Sequence, residues 1–138
     1  MTVMISPNPD KQLADVIAVR AAQILLNQGS HVLMREELQA SCNTMGVSYL
    51  PEKECLQQAD VILTIGGDGT ILHEANLTLE YKKPILGVNL GRCGFLATCE
   101  VDEMETKLAA VARGEYSLDS RMLLYARVLG EDNWKGHA

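Results

Sequence analysis

The segment ADVILTIGGDGTILHEA, residues 59–75, sets an aliphatic run against Gly66-Gly67-Asp68-Gly69-Thr70 before helix-favouring residues resume. Val61 to Ile65 is continuous, β-branched and aliphatic, the pattern of a central strand buried on both faces. Ile71 to Glu80 reads as a helix. A strand that enters a helix through so bare a turn presents several backbone N–H groups near a helix N-terminus, a ready site for anions and above all for phosphate. Its glycines keep Cβ atoms out of the way and permit positive φ angles. In open α/β sheets, ligands also settle beyond the carboxyl ends of the strands, where this turn lies.

Asp68 is the odd member of the turn. A carboxylate beside bound phosphates is repelled unless it coordinates a divalent cation or accepts a proton from a hydroxyl nucleophile, and phosphoryl transfer to an alcohol uses both arrangements. Prior removal of the proton is excluded: an aspartate near pKa 3.9 against water near 15.7 leaves a gap of about 12 units, on the order of 16 kcal/mol as an upper bound for a sugar hydroxyl. The aspartate would therefore orient the hydroxyl and take its proton late. The plainer alternative is a tight strand-to-helix turn with Asp68 or Thr70 as N-cap. Neither a G-x-G-x-x-G with a following acid nor a G-x-x-x-x-G-K-[ST] occurs, so a standard dinucleotide-binding dehydrogenase or P-loop NTPase is unsupported.

Outward from this turn, Val3-Met4-Ile5 reads as a buried strand stopped by Ser6-Pro7-Asn8-Pro9. A helix follows, with Leu13, Val16, Ile17, Ala21, Ile24 and Leu25 at spacings of three and four, Asn8 or Asp10 as N-cap and Gly29 as its stop. His31 opens a second strand. Residues 35–58 show no sustained period and read as mobile connection. Pro84 to Val88 gives another buried strand, and Asp102 with Glu105 resembles a capping box for a helix carrying Met104, Leu108 and Val111, closed by Gly114. This order predicts an α/β fold with a doubly wound, mostly parallel sheet and helices on both faces. After Ser117 the pattern turns to an extended strand, a Gly-Glu-Asp-Asn turn and the start of a returning strand. The expected organisation is an α/β nucleotide-binding domain over 1–117 and the first strands of an incomplete β-rich domain over 118–138.

With 138 residues the chain can bury a core without covalent staples. Its net charge of −6 provides no basic field for a nucleic-acid backbone. Cys42, Cys55, Cys93 and Cys99 lack C-x-x-C spacing and the density of a disulfide scaffold, and read as reduced. The N-terminus has no signal-peptide pattern, and no run approaches the roughly 18 apolar residues of a membrane span, so the expectation is a cytoplasmic, soluble protein without a membrane partner.

GGDGT preceded by ADVILTI and followed about twenty residues later by GVNLGRCGFLA resembles the NAD kinase family. The early Asn-Pro-Asp-Lys at Asn8–Lys11 fits as well, and the likeness spans residues 3 to about 129. GGDGT alone is shared with lipid and sugar kinases, which remain the alternative enzyme reading; a non-catalytic nucleotide-binding module is the alternative of another class. The resemblance implies phosphorylation of the 2′-hydroxyl of the adenosine ribose of NAD to give NADP, with ATP or polyphosphate as donor and a divalent cation, Mg2+, as cofactor. By position it makes Asp68 the catalytic carboxylate and places Gly66, Gly67, Asp68, Gly69, Thr70, His73, Asn89, Phe95 and Leu96 at the NAD and ATP sites, with no metal ligand assigned among the side chains. From the residues alone, His73 reads equally as an exposed helix histidine, Phe95 as plain core and Arg92 as a solvent-facing arginine. Asn89, Gly91 and Gly94 are expected to shape their loop. The family builds the rest of the NAD site, including an Asn-acid pair, beyond a segment like Gly-His-Ala. The chain as given, ending at Ala138, is therefore expected to have little or no kinase activity, and the full-length protein to be a homo-oligomer.

Overall fold

The computed structural model describes residues 1–92, 94–127 and 135–137. Five strands enter one parallel sheet: β1 (Thr2–Pro7), β2 (His31–Arg35), β3 (Val47–Leu50), β4 (Val61–Gly66) and β5 (Ile85–Asn89), with the two-residue β6 (Cys99–Glu100) at its edge. Their spatial order is β3-β2-β1-β4-β5-β6, and every pairing within this sheet is parallel. The order reverses between β1 and β4. In a doubly wound sheet that reversal opens a crevice at the carboxyl ends of the two strands.

Side-chain alternation divides the core into two layers. Val3 and Ile5 of β1, Val32 and Met34 of β2 and Leu63 and Ile65 of β4 meet α1 (Ala14–Asn27) and α4 (Met104–Ala112) on one face. Met4, Leu33 and Ile62, in register with one another, point to the opposite face and pack with Cys55 and Leu56 of α2 (Glu52–Gln58). Each large aliphatic group so buried contributes about 1.5–3 kcal/mol relative to exposure. Two residues further along the same strands, and therefore on the same face, stand Ser6, Arg35 and Thr64. Period two thus lays a polar layer over the apolar one, at the end of the sheet where the crevice opens.

Several sequence expectations are corrected here. The buried stripe of α1 is Ala14, Ala18, Ala21, Ala22 and Leu25, whereas Leu13 and Val16 are exposed. Small alanines let the helix lie close to the sheet, and that closeness, rather than residue hydrophobicity, selects the inward face. Neither Asn8 nor Asp10 caps α1: its N-cap is Leu13 in a left-handed conformation (φ 67°), and the Asn8 side chain instead accepts the Asp10 N–H at 2.9 Å. Residues 35–58 are not a bare connection, since they form a 3-10 turn (Glu36–Leu38), β3 and α2. These elements are short, and most of β3 is only half-buried at the sheet edge, so no long period marks them. Asp102 does not cap α4; a 3-10 turn, Val101–Glu103, leads in, with the Glu100 N–H donating to Glu103 Oε2 at 3.0 Å. Gly29 and Gly114 do end their helices at positive φ, 78° and 72°.

Past residue 117, β7 (Tyr125–Arg127) pairs antiparallel with β8 (Lys135–His137) in a separate two-stranded sheet. The expected Gly-Glu-Asp-Asn turn at 130–133 and Cys93 lie outside the described residues. Cys42, Cys55 and Cys99 are free and buried, and burial pushes the Cys99 thiol up to about 11. Among the described residues, no helix is long and apolar enough to cross a membrane.

Candidate functional site

The Gly66–Thr70 turn sits at the reversal point of the sheet. β4 ends at Gly66, Gly67 is the N-cap in an extended conformation, and α3 (Asp68–Leu77) begins at once. The Asn8 N–H donates to the Ile65 carbonyl at 2.8 Å, and Asn8 Nδ2 donates to Thr70 Oγ1 at 3.1 Å, which ties the end of β1 to the turn. Thr70 Oγ1 also accepts the Gly67 N–H at 3.3 Å. Thr70 is thus spent on holding the turn.

The glycines of the turn serve different ends. A Cβ on Gly66 would stand 2.3 Å from Thr70 Oγ1, so close packing excludes a side chain there. Added at Gly67 or Gly69, a Cβ would meet nothing within 4 Å. None of the three has positive φ, so the freedom expected for them is not what the turn uses. What Gly67 and Gly69 leave is open space over bare backbone at the start of a ten-residue helix, where N–H groups and the helix dipole favour an anion.

The Asp68 carboxylate turns neither into the core nor onto its own helix. Oδ2 accepts the Phe95 N–H at 3.0 Å, and Oδ1 accepts those of Leu96 and Ala97, each at 3.0 Å. The Ala97, Phe95 and Leu96 amides hold its pKa below the ordinary 3.8, because each donor favours the charged form. A carboxylate has about four acceptor positions. Three amides leave one, on Oδ2, beside the exposed Phe95. The loop that supplies them is itself shaped by missing side chains: a Cβ on Gly94 would lie 2.4 Å from the Ala97 carbonyl oxygen, and one on Gly87 would lie 3.0 Å from Ala97 Cα.

A cleft of about 440 Å3 opens beside the turn, lined by Gly69, Thr70, His73 and Glu74 of α3, by Ser6 to Asp10, and by Arg35 and Glu37. A separate depression of about 560 Å3 over Arg20, Glu100, Val101 and Asp102 contains no part of the turn. Glu74, two turns along α3 from Asp68, is 2% exposed. Its Oε1 accepts the Ser6 hydroxyl and lies 3.3 Å from Arg35 Nη2, while Arg35 Nη2 donates to Ser6 Oγ at 2.6 Å and Nη1 to Glu52 Oε1 at 2.7 Å. Arg35 therefore joins β1, β2, α2 and α3. Burial works against its charge, but the Glu52 hydrogen bond and the charges of Glu74, Glu52 and Glu37 outweigh this and raise its pKa.

The structure brings Gly66, Gly67, Asp68, Gly69 and Thr70 together with Phe95 and Leu96, and sets His73 on the cleft wall. Phe95 is 83% exposed and so is not core. Asn89 stands apart: it is buried, its Nδ2 donates to Glu100 Oε1 at 3.2 Å, and its Oδ1 accepts the Gly91 N–H at 3.0 Å. Arg92 is exposed and does not line the cleft. Sequence reasoning missed Arg35 and Glu74. A signal existed, since serine and arginine continue the face of Met4 and Leu33 at period two.

Fold and site together define a doubly wound α/β domain with a glycine-rich strand-to-helix turn at the reversal point of its sheet. Residues 3–116 match the model of the ATP-NAD kinase N-terminal domain, and the chain belongs to that family. It is 35% identical over 117 residues to an NAD kinase of Azotobacter vinelandii, covering 85% of this chain and 39% of that protein. With an NAD kinase of Methanothermobacter thermautotrophicus the identity is 40% over 108 residues, covering 78% and 38%. The chain thus spans about two fifths of the length of these curated relatives. A crystal structure of yeast NADH kinase complexed with NADH superposes with a TM-score of 0.75 at 19% identity, covering all of this chain and 46% of that one. That likeness speaks to the fold, and it agrees with the doubly wound sheet expected from sequence.

Proposed function

We propose that the chain is the α/β part of a phosphotransferase that moves a phosphoryl group from ATP to the 2′-hydroxyl of the adenosine ribose of NAD, giving NADP, with Asp68 as the catalytic carboxylate. The observation that carries this reading is the clasp on Asp68: three amides fix the carboxylate and leave one acceptor position on Oδ2. A hydroxyl donating to that position is oriented with its oxygen lone pair free to attack the terminal phosphorus. As the new P–O bond forms, the bond from that phosphorus to the bridging oxygen of the donor breaks, and the hydroxyl proton passes to Oδ2. The depressed pKa makes Asp68 a weak base, so the proton moves late, when the attacking oxygen has already lost electron density to phosphorus. The Gly69 N–H at the start of α3 would receive a phosphate oxygen of the donor, with His73 at the wall of the same cleft. Phe95 and Leu96 would present the acceptor nucleotide to Oδ2, and Asn89 would act only by shaping their loop.

Among the described residues, no three His, Cys, Asp or Glu side chains converge as a metal site, so a resident ion held by the protein alone does not fit. A Mg2+ carried on the donor's phosphates does fit, because Mg2+ keeps several waters and takes only one or two carboxylates. Asp10 and Glu37, exposed carboxylates lining the cleft, are the side chains that could take it. Such an ion supplies charge neutralisation of the phosphates. The names of the curated relatives favour NAD as acceptor over a lipid or a sugar. The reading carries with it the expansion to residues 118–138 as the start of a β-rich second domain, a homo-oligomeric assembly, a cytoplasmic location, and no nucleic-acid or membrane partner.

Replacing Asp68 by Asn in the full product of the gene tests the assignment. The amide oxygen still accepts the Leu96 and Ala97 N–H groups while the amide NH2 faces that of Phe95, so circular dichroism checks that folding is kept, and turnover should fall by about 10²–10⁴. Unchanged turnover removes Asp68 from the chemistry.

A further inference from the structure

We propose that Ser6 and Asn8 form a two-point latch on α3, through Glu74 and Thr70, and act as positioning residues that set where the Asp68 carboxylate stands for phosphoryl transfer. This rests on the phosphotransferase reading above and adds to it the groups that hold its carboxylate in place from the strand side.

Apolar burial does not fix α3. Its one fully buried residue is Glu74, while Leu72 and Leu77 are 44% and 41% exposed. The turn before the helix does not fix it either. Gly67, the N-cap, has no side chain with which to cap, and a Cβ at Gly67 or Gly69 would meet nothing within 4 Å. A helix entered in this way slides and rolls unless its first two turns are held from outside.

The end of β1 supplies two such holds. Asn8 Nδ2 donates to Thr70 Oγ1 at 3.1 Å, and the Ser6 hydroxyl donates to Glu74 Oε1. Thr70 and Glu74 are four residues apart, which places them on one helix face about 6 Å apart along the axis. Ser6 and Asn8 are two residues apart on extended chain, so they share a side at a spacing of about 6.6 Å. The two spacings match. One hydrogen bond would leave the helix free to turn about it, whereas two fix both its axial position and its roll. Each latch residue also precedes a proline, Pro7 or Pro9, which biases it toward the extended conformation the match requires. Both are anchored in turn: the Asn8 N–H donates to the Ile65 carbonyl at 2.8 Å, and Arg35 Nη2 donates to Ser6 Oγ at 2.6 Å, leaving the hydroxyl proton for Glu74.

Asp68 lies in the latched first turn, two residues before Thr70, and the Phe95, Leu96 and Ala97 amides grip it from the other side. The carboxylate is therefore set by two supports. Opening one shifts it against the groups it must meet, and a displacement on the order of 1 Å costs about a hundredfold in rate.

The test is steady-state kinetics of the full product of the gene with NAD and ATP. The variants are Asn8→Ala, Ser6→Ala, Thr70→Val, Thr70→Ser and the Asn8→Ala/Thr70→Val double, each checked for folding by circular dichroism. Asn8→Ala and Ser6→Ala should each lower kcat by about 10–100-fold and change the KM of either substrate by less than about threefold. The double variant should be no slower than Thr70→Val, because both changes remove the same hydrogen bond. Thr70→Ser, which keeps the hydroxyl, should restore most of what Thr70→Val loses. The amide resonances of Phe95, Leu96 and Ala97 should shift in Asn8→Ala, a readout that needs no turnover. Unchanged kcat in Asn8→Ala, a change confined to KM, losses that multiply in the double variant, or no rescue by Thr70→Ser each overturns the latch. Asn8 is half-buried, so Asn8→Ala decides alone should a change at buried Ser6 or at the turn prevent folding. Shifted amides with unchanged turnover of Asp68→Asn would leave the hold standing and the catalytic reading fallen; unmoved amides with an inactive Asp68→Asn would do the opposite.

Discussion

Two carboxylates six positions apart on one helix meet opposite fates. Asp68, at the first turn of α3, is half-exposed and satisfied by backbone N–H groups from a loop 27 to 29 residues away. Glu74 is buried and satisfied by two side chains, the Ser6 hydroxyl and the Arg35 guanidinium. Backbone donors leave the Asp68 carboxylate ionised and one acceptor position open, which suits it to act on an incoming group. Side-chain partners close Glu74 off, and its charge serves to fix the roll of α3 against β1 and β2. The same residue chemistry therefore leaves an open acceptor in one region and a closed framework contact in the other, and what differs is the partner.

The sharpest break of this comparison is at Arg35. Its removal by Arg35→Ala leaves the buried Glu74 carboxylate without its cation, which should cost about 3–5 kcal/mol in urea unfolding. Glu52→Ala, at a side chain 43% exposed, removes a partner that water can replace and should cost below about 1 kcal/mol. If the two variants lose the same stability, Glu74 is not held by Arg35 in the manner described.

The difference in partners also explains what could be seen beforehand. The central strands and the strand-to-helix turn at residues 66–70 were legible because they rest on local pattern: an apolar run, then glycine. The doubly wound parallel sheet followed from the alternation of strands and helices, whereas β3 and β6 were too short to be read. Asp68's clasp was not legible, because its partners are backbone groups whose chemistry no residue letter records. The Arg35 cluster was obscured for another reason, as Arg35 begins the stretch with no sustained period and Glu74 reads as an ordinary polar helix residue. The α1 face was misread because Leu13 and Val16 look like core, while alanines decide how near a helix can come. Asn89 gave no sign in the sequence of its bonds to Glu100 and to the Gly91 N–H, which join side chains and backbone from different elements.

A smaller effect of opposite sign sharpens the picture at the turn. Gly69→Ala adds a methyl where nothing lies within 4 Å and where φ is not positive, so stability should rise by about 0.4–1 kcal/mol as the unfolded chain loses freedom. The same methyl occupies the space over the bare N–H groups, so affinity for ATP should fall. A gain in thermal stability with unchanged ATP affinity would show that the open space is not a phosphate cradle.

The smallest effect is a titration, and it reports directly on the clasp. Above the ordinary carboxylate value of 3.8, Asp68 is charged whether the chain is folded or not, and the stabilisation from its three amides is present in full. Because the folded value is depressed, the unfolded chain takes up the proton first as pH falls, and the contribution is lost on passing through the folded value. The amide resonances of Phe95, Leu96 and Ala97 should therefore move together, with a midpoint below 3.8, and stay flat in Asp68→Asn. A shared midpoint at or above the ordinary value would mean the amides do not hold the charged form. Such a result would also undo the argument for late proton transfer, since that argument needs a carboxylate made less basic by the loop it grips.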